Sequence, residues 1–205
     1  MWSLLPRKAQ ITLIVITGVA LAWSYDAVYA YFAQQHPSMW KCATFAATVI
    51  GSVLVLAGEL IWRWLWRKIP LLQTKAFPDL NGVWKGHLVS TWIDPATGQQ
   101  KPPIPTEITI RQKLFSTSVT LMTGESKSHS TRCFLEPFYD RRTYRIWYSY
   151  NNDPHAQFVH RSSPHEGVAF LELDFDGDPS RLTGRYYTAR HTTGDLDVKR
   201  FKGAK

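Results

Sequence analysis

The residues in this chain best suited to chemistry are aromatic, hydroxyl and guanidinium groups near the predicted ends of short β-type runs. Trp92, Thr123, Ser126, Ser128, Tyr150, Tyr186, Thr188, Arg190 and Thr192 make up this candidate ligand-binding set. Flat rings stack on flat ligands, hydroxyls read hydrogen-bonding edges, and an arginine fork clamps a phosphate. That is a vocabulary of binding, and no catalytic set accompanies it. Gly-x-Ser-x-Gly, His-Glu-x-x-His and phosphate-loop sequences are all missing. His155, His160 and His165 recur every five residues, which is no compact metal spacing, and they are expected in a solvated loop. Asp174-Phe175-Asp176-Gly177-Asp178 opens like a calcium loop. Its twelfth position is Arg185 and its Gly is misplaced, so the segment is read as a turn. Cys42 lies in an apolar run and Cys133 well downstream of it, so no disulfide is expected. The chain is read as a non-enzyme without metal or cofactor.

The elements that must carry these groups are β-strands. From Gly82 onward eight short runs alternate with turn residues: Val83–Trp92, Thr106–Gln112, Phe115–Thr123, Ser130–Glu136, Thr143–Asn151, Gly167–Asp174, Leu182–Ala189 and Leu196–Lys202. Alternation is clear where Tyr144, Ile146, Tyr148 and Tyr150 share one face. Eight sequential strands with short connections predict an antiparallel up-and-down, lipocalin-like β-barrel. Closure removes its edges and leaves room inside for one small ligand. The longer connections (1–2, 3–4, 5–6 and 7–8) fall at one rim, and the tight ones close the other. The longer-loop rim, expected to face away from a bilayer, collects the candidate residues. Two-residue spacing puts Tyr186, Thr188 and Arg190 on one strand face, with Tyr150 at the same rim. The rival for Arg190 is an ion pair with Asp195 or Asp197. At the opposite end, Gly82-Val83-Trp84 resembles the Gly-x-Trp that plugs lipocalin-type barrels.

The first part of the chain has a different character. Ile11 to Trp23 is free of charge and apolar character continues to Phe32; Cys42 to Gly58 is again free of charge, and Leu60 to Trp62 extend it past Glu59. About 20 helical residues span the roughly 30 Å hydrocarbon core of a bilayer. Two transmembrane helices are therefore predicted, at about 10–32 and 40–62, with Asp26 and Glu59 near their ends. The expected division is 1–68 for the helices, 69–81 for a linker and 82–205 for the barrel. Trp23, Tyr25, Tyr29, Tyr31 and Trp40 collect at one end of the spans, and Trp62, Trp64 and Trp66 at the other, as interfacial rings do. A cleaved signal peptide ending at Ala20-Leu21-Ala22 is the rival, disfavoured by the second span.

Charge fits the same division. Residues 1–75 hold seven basic and two acidic residues, leaving 17 of the 24 basic and 14 of the 16 acidic residues downstream. The net +8 is thus not a concentrated nucleic-acid footprint, and no DNA or RNA polymer is expected as partner.

Over nearly its whole length the chain resembles the two-transmembrane β-strand-rich effectors of bacterial CBASS antiphage systems. The resemblance rests on the two spans, on Phe77-Pro78-Asp79-Leu80-Asn81-Gly82-Val83-Trp84-Lys85-Gly86, and on the Ser126/Ser128/Ser130 run. Tyr148-Ser149-Tyr150-Asn151 and Gly184-Arg185-Tyr186-Tyr187-Thr188-Ala189-Arg190 complete it. It implies a barrel that senses a cyclic di- or oligonucleotide made by a cognate nucleotidyltransferase. It further implies homo-oligomer assembly in contact with membrane lipid, inner-membrane disruption and abortive-infection cell death. The alternative is a tethered lipocalin-like module for a lipid or other small ligand, which would want an apolar lumen.

Arg7 and Lys8 precede the first span, Arg63, Arg67 and Lys68 follow the second, and Lys41 is alone between them. The positive-inside rule then predicts both termini in the cytoplasm. A phosphatase active only outside the cytoplasm, fused after Lys205, is expected to stay silent; an active fusion reverses the topology.

Overall fold

A computed structural model describes residues 2–56, 58, 62–69, 77–94, 97–160 and 162–201 of the chain. Glu59, the end of the second predicted span and most of the predicted linker lie outside them. The chain divides into a helical unit and a β unit.

In the helical unit, α1 spans Arg7–Ala33 and α2 spans Met39–Leu56. Both are long and apolar enough to cross a membrane. At 1.5 Å per residue they extend about 40 Å and 27 Å, close to or above the hydrocarbon thickness. Gln34 ends α1 in the left-handed conformation (φ 53°), its backbone N–H returning to Ala30 O at 3.0 Å. The two helices pack through small residues and one ring pair. Ala46 is buried, Gly18 lies beside Ile50, and Tyr25 stacks on Phe45 with centroids 4.6 Å apart. Val15, Ile16, Val19 and Trp23 remain exposed, as suits a hydrocarbon solvent. Asp26 has a partner, His36 Nδ1 at 3.0 Å in the turn between the helices. A short helix, α3, follows at Trp62–Lys68.

The β unit is a closed antiparallel barrel in sequence order. Its strands are β1 Gly82–Ser90, β2 Ile104–Gln112, β3 Thr117–Thr123, β4 Ser126–Phe138, β5 Thr143–Pro154, β6 His165–Asp174, β7 Arg181–Thr188 and β8 Thr193–Arg200. All eight predicted strands are present, and β1 closes on β8 from Trp84↔Arg200 to Ser90↔Gly194. Two boundaries differ in a way that matters. β4 begins at Ser126 rather than Ser130, so connection 3–4 is only Gly124-Glu125 and does not belong with the longer ones. β5 runs on to Pro154, carrying Asn152 into the sheet. One extra residue at Thr131 shifts the β4–β5 register, a bulge that bends the long strand. The Asp174 turn is as expected, its carboxylate accepting the backbone N–H groups of Asp176 and Gly177.

Inward side chains alternate with outward ones along every strand, and Ile108, Ile146, Leu171, Leu196 and Val198 are fully buried. The end formed by connections 2–3, 4–5 and 6–7 is closed by a built plug. Trp84 is fully buried and donates its Nε1–H to Leu80 O at 3.0 Å. The segment Phe77–Asn81 enters the plug: Phe77 meets the Tyr144 ring edge-on, and Leu80 N–H donates to Gln112 Oε1 at 2.9 Å. Arg200 lies 4.3 Å above the Trp84 ring and donates to Asp79 O (2.7 Å) and Asn81 O (2.8 Å). One guanidinium thus fastens the entering chain to the first strand and the last.

Trp84→Ala is expected to cost about 3–5 kcal/mol through the cavity it leaves. Arg200→Lys keeps the charge and loses the fork, which is expected to cost about 1–3 kcal/mol. Denaturant unfolding followed by the β-sheet circular dichroism signal checks both.

Candidate functional site

The opposite end of the barrel is open and holds a cavity of about 500 Å³, within the range of small-molecule sites. All nine predicted residues line it. They do so from different positions, and some differ from the sequence reading.

Tyr150 on β5 and Tyr186 on β7, with β6 between them, form parts of the same wall, and both are buried. Each lies across a glycine on the neighbouring strand, Tyr150 opposite Gly167 and Tyr186 opposite Gly194. A side-chain carbon at Gly167 would fall 2.4 Å from Tyr150 Cζ, and one at Gly194 2.5 Å from Tyr186 Cε1. The glycines therefore let the rings lie flat on the sheet, where they leave the lumen open. Burial, assisted by the Tyr186 phenol, pushes the Tyr150 hydroxyl up to about 12 despite nearby Arg190. Tyr186 is likewise raised by burial, against a hydrogen bond with Ser90 and the pull of Arg190. Both phenols are neutral hydrogen-bonding groups at physiological pH.

Two rim turns are tied by threonines. Thr123 Oγ1 accepts the backbone N–H groups of Glu125 (3.3 Å) and Ser126 (3.2 Å), with Ser126 Oγ 3.3 Å away. Thr188 Oγ1 accepts Thr192 N–H at 3.2 Å and meets Thr192 Oγ1 at 2.7 Å. These hydroxyls hold the turns first and face a ligand second. Ser128 is buried on the inner face of β4, and its hydroxyl donates to Asn152 Oδ1 at 2.8 Å. Trp92 lies beyond the end of β1, not within it, with the Lys101 ammonium 5.4 Å from its ring centroid.

Arg190 is in the β7–β8 turn, two residues past the strand end, so the shared-face argument stops at Thr188. It nevertheless borders the cavity and is exposed. The expected carboxylate rivals are engaged elsewhere. Asp195 pairs with Arg185 at 3.1 Å and Asp197 with Arg181. Arg190 donates to Ser162 Oγ at 3.3 Å and approaches His165 Nε2 at 3.5 Å, with no carboxylate within ion-pair reach among the described residues. His165 itself is not in a solvated loop; it opens β6 and faces the cavity. Burial and the Arg190 charge hold its imidazole below its usual range, outweighing the Ser163 carbonyl, so it is neutral near pH 7. The guanidinium is then a cation whose neighbours do not neutralise it.

The sequence reading missed Ser90, Asp94, Lys101, Glu125, Tyr148, Asn152, Ser162 and His165 as cavity-lining residues. Continuing the β5 alternation from Tyr148 and Tyr150 by one step finds Asn152. Lys101 and Ser162 come from long connections and carry no periodic signal. Deeper in the cavity Leu88, Ile104 and Leu121 supply apolar wall. The lining is therefore mixed: rings and aliphatics below, and hydroxyls, an amide, the Asp94 and Glu125 carboxylates and the Lys101 and Arg190 cations at the mouth. Among the described residues no three His, Cys, Asp or Glu groups gather as a metal site.

Comparison with known proteins finds a relative and a family profile. A staphylococcal protein, CD-NTase-associated protein 15 of Staphylococcus schleiferi, is 24% identical over 155 residues, covering 76% of this chain and 78% of the relative. The profile of the family described as Cap15, cyclic dinucleotide receptor domain, matches residues 75–200, the plug segment and all eight strands. The chain belongs to that family.

Proposed function

We propose that this chain is a CBASS antiphage effector anchored in the bacterial inner membrane, whose barrel binds a cyclic dinucleotide in the mouth cavity. The observation that carries the reading is Arg190. It is a guanidinium without a carboxylate partner among the described residues, poised beside two flat phenol rings in a cavity of about 500 Å³. A cyclic dinucleotide offers what this lining seeks: phosphodiester oxygens for the fork and base faces for the rings. A lipid would leave the hydroxyls, the amide and the cation of the mouth unmatched. The family resemblance favours the same class of ligand. The nucleotide would come from a cognate nucleotidyltransferase. Binding would drive self-assembly of α1 and α2, disruption of the bilayer and death of the infected cell before the phage matures. Both termini would lie in the cytoplasm, where such a messenger would be made.

Arg190→Ala is expected to lose about 1.5–3 kcal/mol of binding, roughly tenfold to a hundredfold in affinity, with little change in melting temperature. Tyr150→Ala is expected to lose about 1–3 kcal/mol of stacking and to melt earlier as well, because the ring is also part of the wall. Calorimetry with cyclic dinucleotides, paired with thermal melts of the same samples, separates the two effects. Wild-type affinity in Arg190→Ala removes Arg190 from the site.

Removal of residues 1–68 is expected to abolish phage-triggered killing while the remaining barrel still binds nucleotide, because the closed sheet needs no partner for its edges. Viability and membrane-potential dyes in infected cells read the first, calorimetry the second. Killing by the truncated chain would give the barrel an activity of its own.

A further inference from the structure

One wall of the cavity carries a polar pair that the cation-and-ring description does not use. Ser128 and Asn152 are cross-strand partners on β4 and β5, 5% and 6% exposed, and both line the cavity. Burying a hydroxyl and an amide is costly, so their arrangement should have a use. The Ser128 hydroxyl donates to Asn152 Oδ1 at 2.8 Å. That bond takes one lone pair of the carbonyl oxygen and fixes the plane of the amide. Asn152 Nδ2 makes no hydrogen bond among the described residues. Every fully buried side-chain nitrogen or oxygen among the described residues is hydrogen-bonded. Nδ2 is therefore open to the cavity rather than sealed in the wall. On the other flank, Asn152 pairs across the sheet with His165, the neutral imidazole beside Arg190. The amide thus sits next to the cation that would hold a phosphodiester, where a base attached to that phosphate would fall.

Building on the cyclic dinucleotide reading, we propose that Asn152, oriented by Ser128, is the specificity-determining group of the cavity and reads an adenine. An oriented carboxamide presents a donor and an acceptor side by side. Adenine answers with N7 as acceptor and the N6 amino group as donor, whereas the same edge of guanine shows two acceptors, N7 and O6. Against guanine, the remaining lone pair of Oδ1 would meet a second oxygen inside a buried wall. Ser128 acts as a positioning residue: its hydroxyl holds the plane of the amide against β4, and without it the amide is free to rotate.

The test uses the full chain in lipid nanodiscs, with calorimetry against cyclic di-adenylate, cyclic di-guanylate and the mixed adenylate–guanylate. The readout is the ratio of affinities. A new charge or a packing change that weakens all ligands alike leaves this ratio where it was. The wild type is expected to favour the adenine-containing ligands roughly tenfold or more. Asn152→Leu and Asn152→Ala are expected to bring the ratio near one, with Ser128→Ala in between. A wild type that binds cyclic di-guanylate as tightly as cyclic di-adenylate overturns the proposal, as does an unmoved ratio in the Asn152 variants. Should neither Asn152 variant fold, an unmoved ratio in Ser128→Ala overturns it. A wild type that binds none of the three but binds cyclic di-uridylate overturns the adenine proposal and keeps the cyclic dinucleotide reading; binding of none of the four removes both, and binding with an unmoved ratio removes only the role of Asn152.

Discussion

The pairing of β1 with β8, running from Trp84↔Arg200 to Ser90↔Gly194, closes the sheet, and each end of the barrel takes its character from that ladder. At one end it brings Arg200 over the Trp84 ring, from where the guanidinium reaches the carbonyls of Asp79 and Asn81. At the other it sets Gly194 beside Ser90, so that the Tyr186 ring can cross the last strand and its phenol can meet the Ser90 hydroxyl. A slip of one residue in this ladder would turn every inward side chain of a strand outward, so the plug and the cavity share one register.

The interior changes character along each strand. On β5 the inward positions run Tyr144, Ile146, Tyr148, Tyr150 and Asn152; on β1 they run Trp84, Leu88 and Ser90. The closed half is apolar and fully packed, and it provides the burial that offsets chain entropy. The open half is where polar groups enter the wall, and there the structure pairs them. Ser128 takes Asn152, and Thr188 takes Thr192. The Arg190 fork and one amide nitrogen are among the groups left over at the mouth for a ligand to use.

This gradient also decides how far the sequence could be read. The strands, their order and the Trp84 plug were legible because apolar alternation survives where both the lumen and the plug are dry. The nine cavity residues were legible as types suited to binding, gathered at one rim. The strand ends at the mouth were not. Ser126-Lys127-Ser128-His129-Ser130 reads as a polar loop because its inward face is polar too, so hydrophobic alternation vanishes although the residues are in β4. Asn152 was hidden for the same reason, one step past the last inward tyrosine. Arg190 was placed on a strand face, and it reaches the cavity from a turn instead. Lys101 and Ser162 arrive from connections 91–103 and 155–164, whose path depends on the whole closed sheet.

The two kinds of connection at the open rim divide the work of recognition. The β3–β4 and β7–β8 turns are short and tied by their own threonine hydroxyls, so they present Ser126, Ser128 and Arg190 from a wall already organised. The β1–β2 and β5–β6 connections are longer and bring Trp92, Lys101 and Ser162 to the same space. A ligand shifts a conformational equilibrium only by the difference in its contacts between the two states. Contacts with the tied wall are the same in both conformations and supply affinity. Under the proposed function, the differential part must come from contacts with the long connections, which a bridging ligand would fasten to that wall.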